Sequence, residues 1–322
     1  MRRFRRPGCW RGRWPTSSSA TEPCVTGRRW LRAASALVTV VVVALVARAL
    51  ARNWTEFRTL HVTLAVRPLW IVASALLVLL TYVAQIQSWR AVLAGWRQRL
   101  SLGAAARTWS LANLGRYVPG KVWSVAGLVV LAERAGVERA PAAASAFASQ
   151  ALAVGTGAIV VAACTPHATS PLRLGAAVLA AVVTVGLLVW PPAVHLIGRL
   201  VQAERPLEPL RPAAVLQAVA FSLCGWVIYG IAFWALARGL VAPASGALSL
   251  SLAAGAFALG YIVGWLALFA PGGVGVRELV FVGLLAPVLG SGGAVAVSVA
   301  SRVLLTATEA AAAALTLPLG DK

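Results

Sequence analysis

The sequence predicts an all-α membrane protein, a polytopic helical bundle of about eight spans with one or two re-entrant or broken segments. Hydrophobic residues make up 60% of its 322 residues and charged residues only 12%, whereas a soluble domain carries about 25% charged residues. The mean hydropathy is +0.81. The apolar runs are too long and too many to be buried in one or two soluble cores, so lipid must cover much of the surface.

The elements follow in chain order. Residues 1–30 are rich in Arg, Ser and Pro and lack an apolar face, which reads as a disordered basic cytoplasmic tail. The first apolar run, 33–51, exceeds the core of a signal peptide and has no convincing cleavage site, so it is expected to be an uncleaved anchor. Further spans of roughly 20 residues are expected at 69–89, 142–164, 174–197, 213–237, 247–269, 274–290 and 294–317. Pro68, Pro171, Pro212 and Pro243 punctuate the joins, where a missing N–H costs least. Residues 108–130 resist this scheme. They are mostly apolar but hold Arg116, Pro119, Gly120 and Lys121 at their centre. Each mid-span cation costs about 2.5–3.5 kcal/mol, and non-helical backbone survives at membrane depth only under the cover of protein or a wet cavity. A re-entrant or broken segment is expected there.

A net charge of +20 raises nucleic acid as a partner, but the distribution argues against it. Nine basic residues precede the first apolar run against one acid, Glu22, and most others lie in short loops. That is how a membrane protein sets its orientation. Arginines concentrate in the tail, at 90–107 and at 198–212. By contrast 164–173 holds only Arg173 and 238–246 only Arg238. The expectation is a multi-pass protein of the cell membrane with both termini cytoplasmic. No metal site is expected: Cys9, Cys24, Cys164 and Cys224 show no ligand spacing, and His61, His167 and His195 are scattered. No nucleophile, paired carboxylates or cofactor motif stands out either, so the chain is expected not to be an enzyme and to need no cofactor.

Three motifs carry chemistry. In Asn113-Leu114-Gly115-Arg116-Tyr117-Val118-Pro119-Gly120-Lys121-Val122-Trp123, a Pro-Gly turn breaks the helix between two cations. Freed N–H groups beside Arg116 and Lys121 suit a phosphate, and an interfacial anchor of Arg, Tyr, Lys and Trp fits the same residues. Arg116, Tyr117, Pro119, Gly120 and Lys121 are therefore the candidate headgroup site. The second motif is Pro271-Gly272-Gly273-Val274-Gly275-Val276-Arg277-Glu278. It follows an apolar helix and matches no nucleotide loop; a tight turn with snorkelling charges is the plainer alternative. The third is Arg302 with Glu309, seven residues apart on one helix face, about 10.5 Å along the axis. Ionisable residues within a span face the interior and pair, so these two mark an intramembrane ion-pair site. Glu278 is a candidate partner for Arg302 and Arg277 for Glu309. The two Pro-Gly breaks lie 152 residues apart, from Pro119 to Pro271, and corresponding breaks in two halves point to a transport site.

The RYVPGKVW segment, the APGGVGVRE segment and the late Ser301-Arg302 together resemble the lysylphosphatidylglycerol synthase transmembrane, flippase-like family. The resemblance covers about 33–318, so 31–322 is expected to be one flippase-like transmembrane domain without the synthase part. It implies that Arg116, Pro119, Gly120, Lys121, Pro271, Gly272, Gly273, Glu278 and Arg302 occupy family motif positions. It also implies the movement of lipid between leaflets. One departure is Ser149-Gln150, where the family often has an acid. The expected function is binding and translocation of an anionic or polyprenyl-phosphate-type lipid. The alternative is a non-transporting scaffold or regulator of a separate glycosyltransferase or lipid synthase.

Overall fold

The computed structural model describes residues 66–117, 122–164, 171–200, 207–241, 248–267 and 275–320. All belong to one compact unit, Leu50–Lys322. The tail and the expected span at 33–51 lie outside the described residues. Among those described, every element is helical: α1 (Pro68–Gly95), α2 (Leu102–Asn113) with a 3-10 turn at Leu114–Tyr117, α3 (Val122–Arg134), α4 (Arg139–Cys164), α5 (Pro171–Val189), α6 (Pro191–Leu200), α7 (Pro212–Leu240), α8 (Leu250–Leu266) and α9 (Val276–Thr316). Pro68, Pro171 and Pro212 each open a helix, where proline removes no ladder bond.

α1 and α7 form the antiparallel spine. The Arg67 amide donates to Gly239 O at 2.8 Å, Ser74 Oγ to Ala232 O at 2.7 Å and Ser88 Oγ to Ala218 O at 2.8 Å. In each pair the two residue numbers total 306, so one register holds over the full length. Serine bonds to a facing carbonyl let two helices approach closely without leaving a polar atom unsatisfied in an apolar setting. On its outer side α1 exposes Leu69, Val72, Leu76, Leu80 and Val83, an apolar stripe at helical spacing that suits lipid. Aromatic rings fill the space between α7, α8 and α9: Tyr229 stacks on Phe257 at 4.7 Å and Phe233 lies 4.8 Å from Phe281.

The bundle has two chemically distinct ends. Trp96 Nε1 donates to Glu208 O, and the Glu138 amide donates to Gln98 Oε1. The end of α1, the start of α4 and the start of α7 therefore meet at one end. Arg90, Arg97, Arg99, Arg107, Arg134, Arg139, Arg199 and Arg211 belong to the segments gathered there. The opposite end holds Arg67, Arg173 and Arg238.

α9 is not one rod. A straight helix would separate residues 278 and 302 by about 36 Å, yet Glu278 Oε1 and Arg302 Nε are 2.8 Å apart. The chain folds back at Gly290, at φ 74° and ψ 160°, a conformation that glycine alone adopts readily. Two antiparallel limbs result, 276–289 and 291–316.

Two hairpins enter the bundle from opposite ends. α2 starts at the arginine-rich end, packs on α3 and reverses, with Gly115 lying against the backbone of Trp123 and Ser124; α3 runs back to the same end. α8 starts at the opposite end, where Trp234 Nε1 donates to Leu248 O. It descends antiparallel to α7 as far as Leu266, and the 276–289 limb climbs back until Gly293, just past the fold, lies beside Val241. At 1.5 Å per residue this limb is only about 21 Å long, short of a hydrocarbon core of about 30 Å.

The segment 108–130 is thus a broken hairpin. The expected spans at 247–269 and 274–290 are corrected to the two limbs of a second one. The expected span at 174–197 is interrupted: the axis turns by 65° between 178–186 and 191–199, where Pro191 and Pro192 begin a new helix. Among the described residues four helices are long and apolar enough to cross a membrane, or five with the bent pair. Eight crossings are not what these lengths establish.

Candidate functional site

The inner ends of the two hairpins face the 291–316 limb, and charged side chains gather there. From the first hairpin, Arg116 directs Nη1 to Glu309 Oε1 at 2.7 Å and Nη2 to Asn113 Oδ1 at 2.7 Å. Tyr117 donates its hydroxyl to Glu309 Oε2 at 2.6 Å, and its oxygen can accept from Thr306 Oγ1 at 3.1 Å. Both oxygens of Glu309 are therefore engaged, as a carboxylate with 4% side-chain exposure requires. In the 3-10 turn at Leu114–Tyr117 residues three apart eclipse, which suits the contact of Arg116 with Asn113 three residues before it. Tyr82 from α1 meets Thr308, the residue before Glu309, at 3.0 Å.

From the second hairpin, Glu278 holds Arg302 Nε at 2.8 Å and accepts the Gly275 amide at 2.7 Å through its other oxygen. It acts as a helix cap and as a counter-ion at once. Arg277 lies over the rings of Phe257 and Phe281, 4.8 and 5.0 Å from their centroids. Its Nε and Nη2 atoms are shielded from solvent and have no hydrogen-bond partner among the described residues. The same holds for Asn113 Nδ2. Tyr229 stacks on Phe257, one of the rings beneath Arg277, and lies 6.5 Å from Tyr82, which bonds Thr308 beside Glu309. The two sequence motifs, far apart along the chain, thus build one cluster.

The expected pairings are redrawn in part. Arg302 and Glu309 are not partners, since seven residues of helix keep them a full rise apart and each meets a charge from a different hairpin. Arg277 does not neutralise Glu309, because Arg116 is already there. Arg302 does meet Glu278. Arg116 is not a free cation awaiting a headgroup: both terminal nitrogens are engaged within the protein. Pro119, Gly120, Lys121, Pro271, Gly272 and Gly273 lie outside the described residues. Ser149 donates to Ser145 O of its own helix at 2.8 Å and stands apart from the cluster.

Sequence reasoning missed Tyr82, Thr306, Thr308 and Tyr229 as members. Their signal was present, as hydroxyls within otherwise apolar helices, but such groups are as often satisfied by their own backbone. Thr308 does both, accepting or donating to Tyr82 while bonded to Leu304 O at 2.9 Å. Among the described residues no group of three or more His, Cys, Asp and Glu converges.

The family model for the lysylphosphatidylglycerol synthase TM region matches residues 32–312. No curated protein and no solved structure matches the chain. The match contains both hairpins and every charged residue of the cluster, and the apolar helices around them are those of a membrane protein with a lipid-related role. The chain belongs to the family of lysylphosphatidylglycerol synthase transmembrane regions.

Proposed function

We propose that this protein binds an anionic or phosphate-bearing lipid and carries it between the leaflets of the cell membrane, with both termini in the cytoplasm. The observation that carries the reading is the composition of the cluster. Three arginines, Arg116, Arg277 and Arg302, face two glutamates, the half-buried Glu278 and the buried Glu309, among apolar helices. Charges at that depth are costly and mark substrate pathways. Apolar residues of similar volume hold a bundle together as well or better. The surplus is positive, which favours an anionic headgroup. Broken helices entering from opposite ends are the construction by which transporters place such a site near mid-depth.

Arg116 enters this reading as half of a pair with Glu309, which breaks and re-forms as the headgroup passes, rather than as a resident free cation. Lys121 remains a candidate for first contact. The rival is a scaffold for a separate glycosyltransferase or synthase. It is favoured by one observation, that both glutamates are already satisfied within the protein. A leaflet-resolved assay with labelled phosphatidylglycerol in proteoliposomes holding only this protein decides between them. Transfer above protein-free vesicles is expected. Equal rates with and without protein would move the scaffold ahead.

A further inference from the structure

The surplus charge has an address. Arg116 and Arg302 each hold a glutamate, and Arg277 holds none among the described residues: two aromatic rings lie against it, and its Nε and Nη2 are shielded without an acceptor among those residues. These two nitrogens form the side of the guanidinium whose N–H groups point the same way. That edge grips two oxygens of a carboxylate or phosphate in parallel. The rings of Phe257 and Phe281 cover the guanidinium with their electron-rich faces but leave an in-plane edge free. Asn113 Nδ2, on the residue that braces Arg116, is a further shielded donor without an acceptor. Every shielded nitrogen left over in the cluster is thus a donor, and what it needs is an acceptor. The segments adjoining the cluster outside the described residues, 118–121 and 268–274, contain no acid.

We propose that the Nε–Nη2 edge of Arg277 is a receptor for an oxyanion, a phosphate or a carboxylate, which completes the charge balance of the cluster. That the oxyanion is carried by a lipid rests on the function proposed above; the chemistry of the edge does not.

The test is thermal unfolding of the full chain in a neutral detergent, with native mass spectrometry of the same samples. Phosphatidylglycerol, phosphatidylcholine and inorganic phosphate are the three additions, and the parent is compared with Arg277→Lys and Arg277→Gln. Phosphatidylglycerol is expected to raise the Tm of the parent and stay bound, with phosphatidylcholine weaker by about tenfold or more. Arg277→Gln should lose that preference. Arg277→Lys keeps the charge without the fork and should fall between. Without added anion, Arg277→Gln should melt no lower than the parent, because it removes a cation that has no counter-ion. That separates loss of binding from loss of folding.

Phosphatidylglycerol stabilising Arg277→Gln as much as the parent would overturn the proposal. So would equal binding by the lysine variant. An Arg277-dependent response to inorganic phosphate alone supports the receptor and removes the lipid as its ligand. Translocation that survives Arg277→Gln counts against the receptor and not against the flippase reading. Arg277-dependent binding without translocation does the reverse.

Discussion

Glu278 illustrates how one residue carries two duties. It caps the 276–289 limb through the Gly275 amide and neutralises Arg302 on the other limb. Removing one partner of a fully buried pair costs about 3–5 kcal/mol, and this pair, with side chains 26% and 24% exposed, should cost less. Glu278→Gln and Arg302→Gln are each expected to lower the Tm and the folded yield in detergent. The reciprocal exchange should recover only part, because arginine cannot accept the Gly275 amide. Single variants that melt like the parent would show that the contact contributes nothing. Arg116→Lys is expected not to behave as a conservative change, since a lysine ammonium lacks the planar fork that spans Glu309 and Asn113. A lower Tm, partly restored in Arg116→Lys with Glu309→Gln, is the expected pattern. The sequence marked Arg116, Tyr117, Arg277, Glu278, Arg302 and Glu309 as the residues that matter, because charge is rare inside apolar runs. It did not disclose which partner each would take, because helical spacing constrains only residues on one helix.

At the scale of elements, the decisive feature is the fold at Gly290. Its positive φ with an extended ψ lies in a region essentially restricted to glycine and costs a residue with a Cβ about 1–3 kcal/mol. Gly290→Val is expected to destabilise the protein and weaken the Glu278–Arg302 contact, which depends on the two limbs lying side by side. Gly283, on the first limb, faces open space with an ordinary φ, so Gly283→Val is the matched control and should be near neutral. Similar Tm losses for both would argue against a required reversal at 290. Sequence periodicity read 247–269 and 274–290 as ordinary spans, since a limb buried in a bundle is as apolar as a helix facing lipid. Length was the better clue: the stretch from Val276 to Leu289 is too short to cross.

The whole molecule has an orientation to test. Among the described residues, segments bearing eight arginines converge at one end of the bundle and three at the other, and the positive-inside tendency puts the rich end in the cytoplasm. Cysteine labelling on a background without Cys9, Cys24, Cys164 and Cys224 should find Arg99→Cys and Lys322→Cys accessible from the cytoplasmic side, and Arg67→Cys and Arg238→Cys from outside. External labelling of Arg99→Cys would invert the assignment, and labelling of Lys322→Cys on the same side as Arg238→Cys would break the crossing pattern of the 291–316 limb.

The sequence by itself determined the solvent, the helical class, the polar interruptions and the family, because each follows from composition and local pattern: apolar runs demand lipid, lipid demands satisfied backbone, and Pro-Gly in such a run demands a break. Only the tertiary structure decided that two of the expected spans are limbs of one hairpin, and that this hairpin and another enter from opposite ends. It also decided that Arg116 belongs to Glu309, Glu278 to Arg302, and that Arg277 is left without an acid. The physical reason is range. Hydropathy and turn chemistry act over a few residues, whereas the pairing of charges separated by 24 and 193 residues depends on where the chain reverses and which helix faces return to each other.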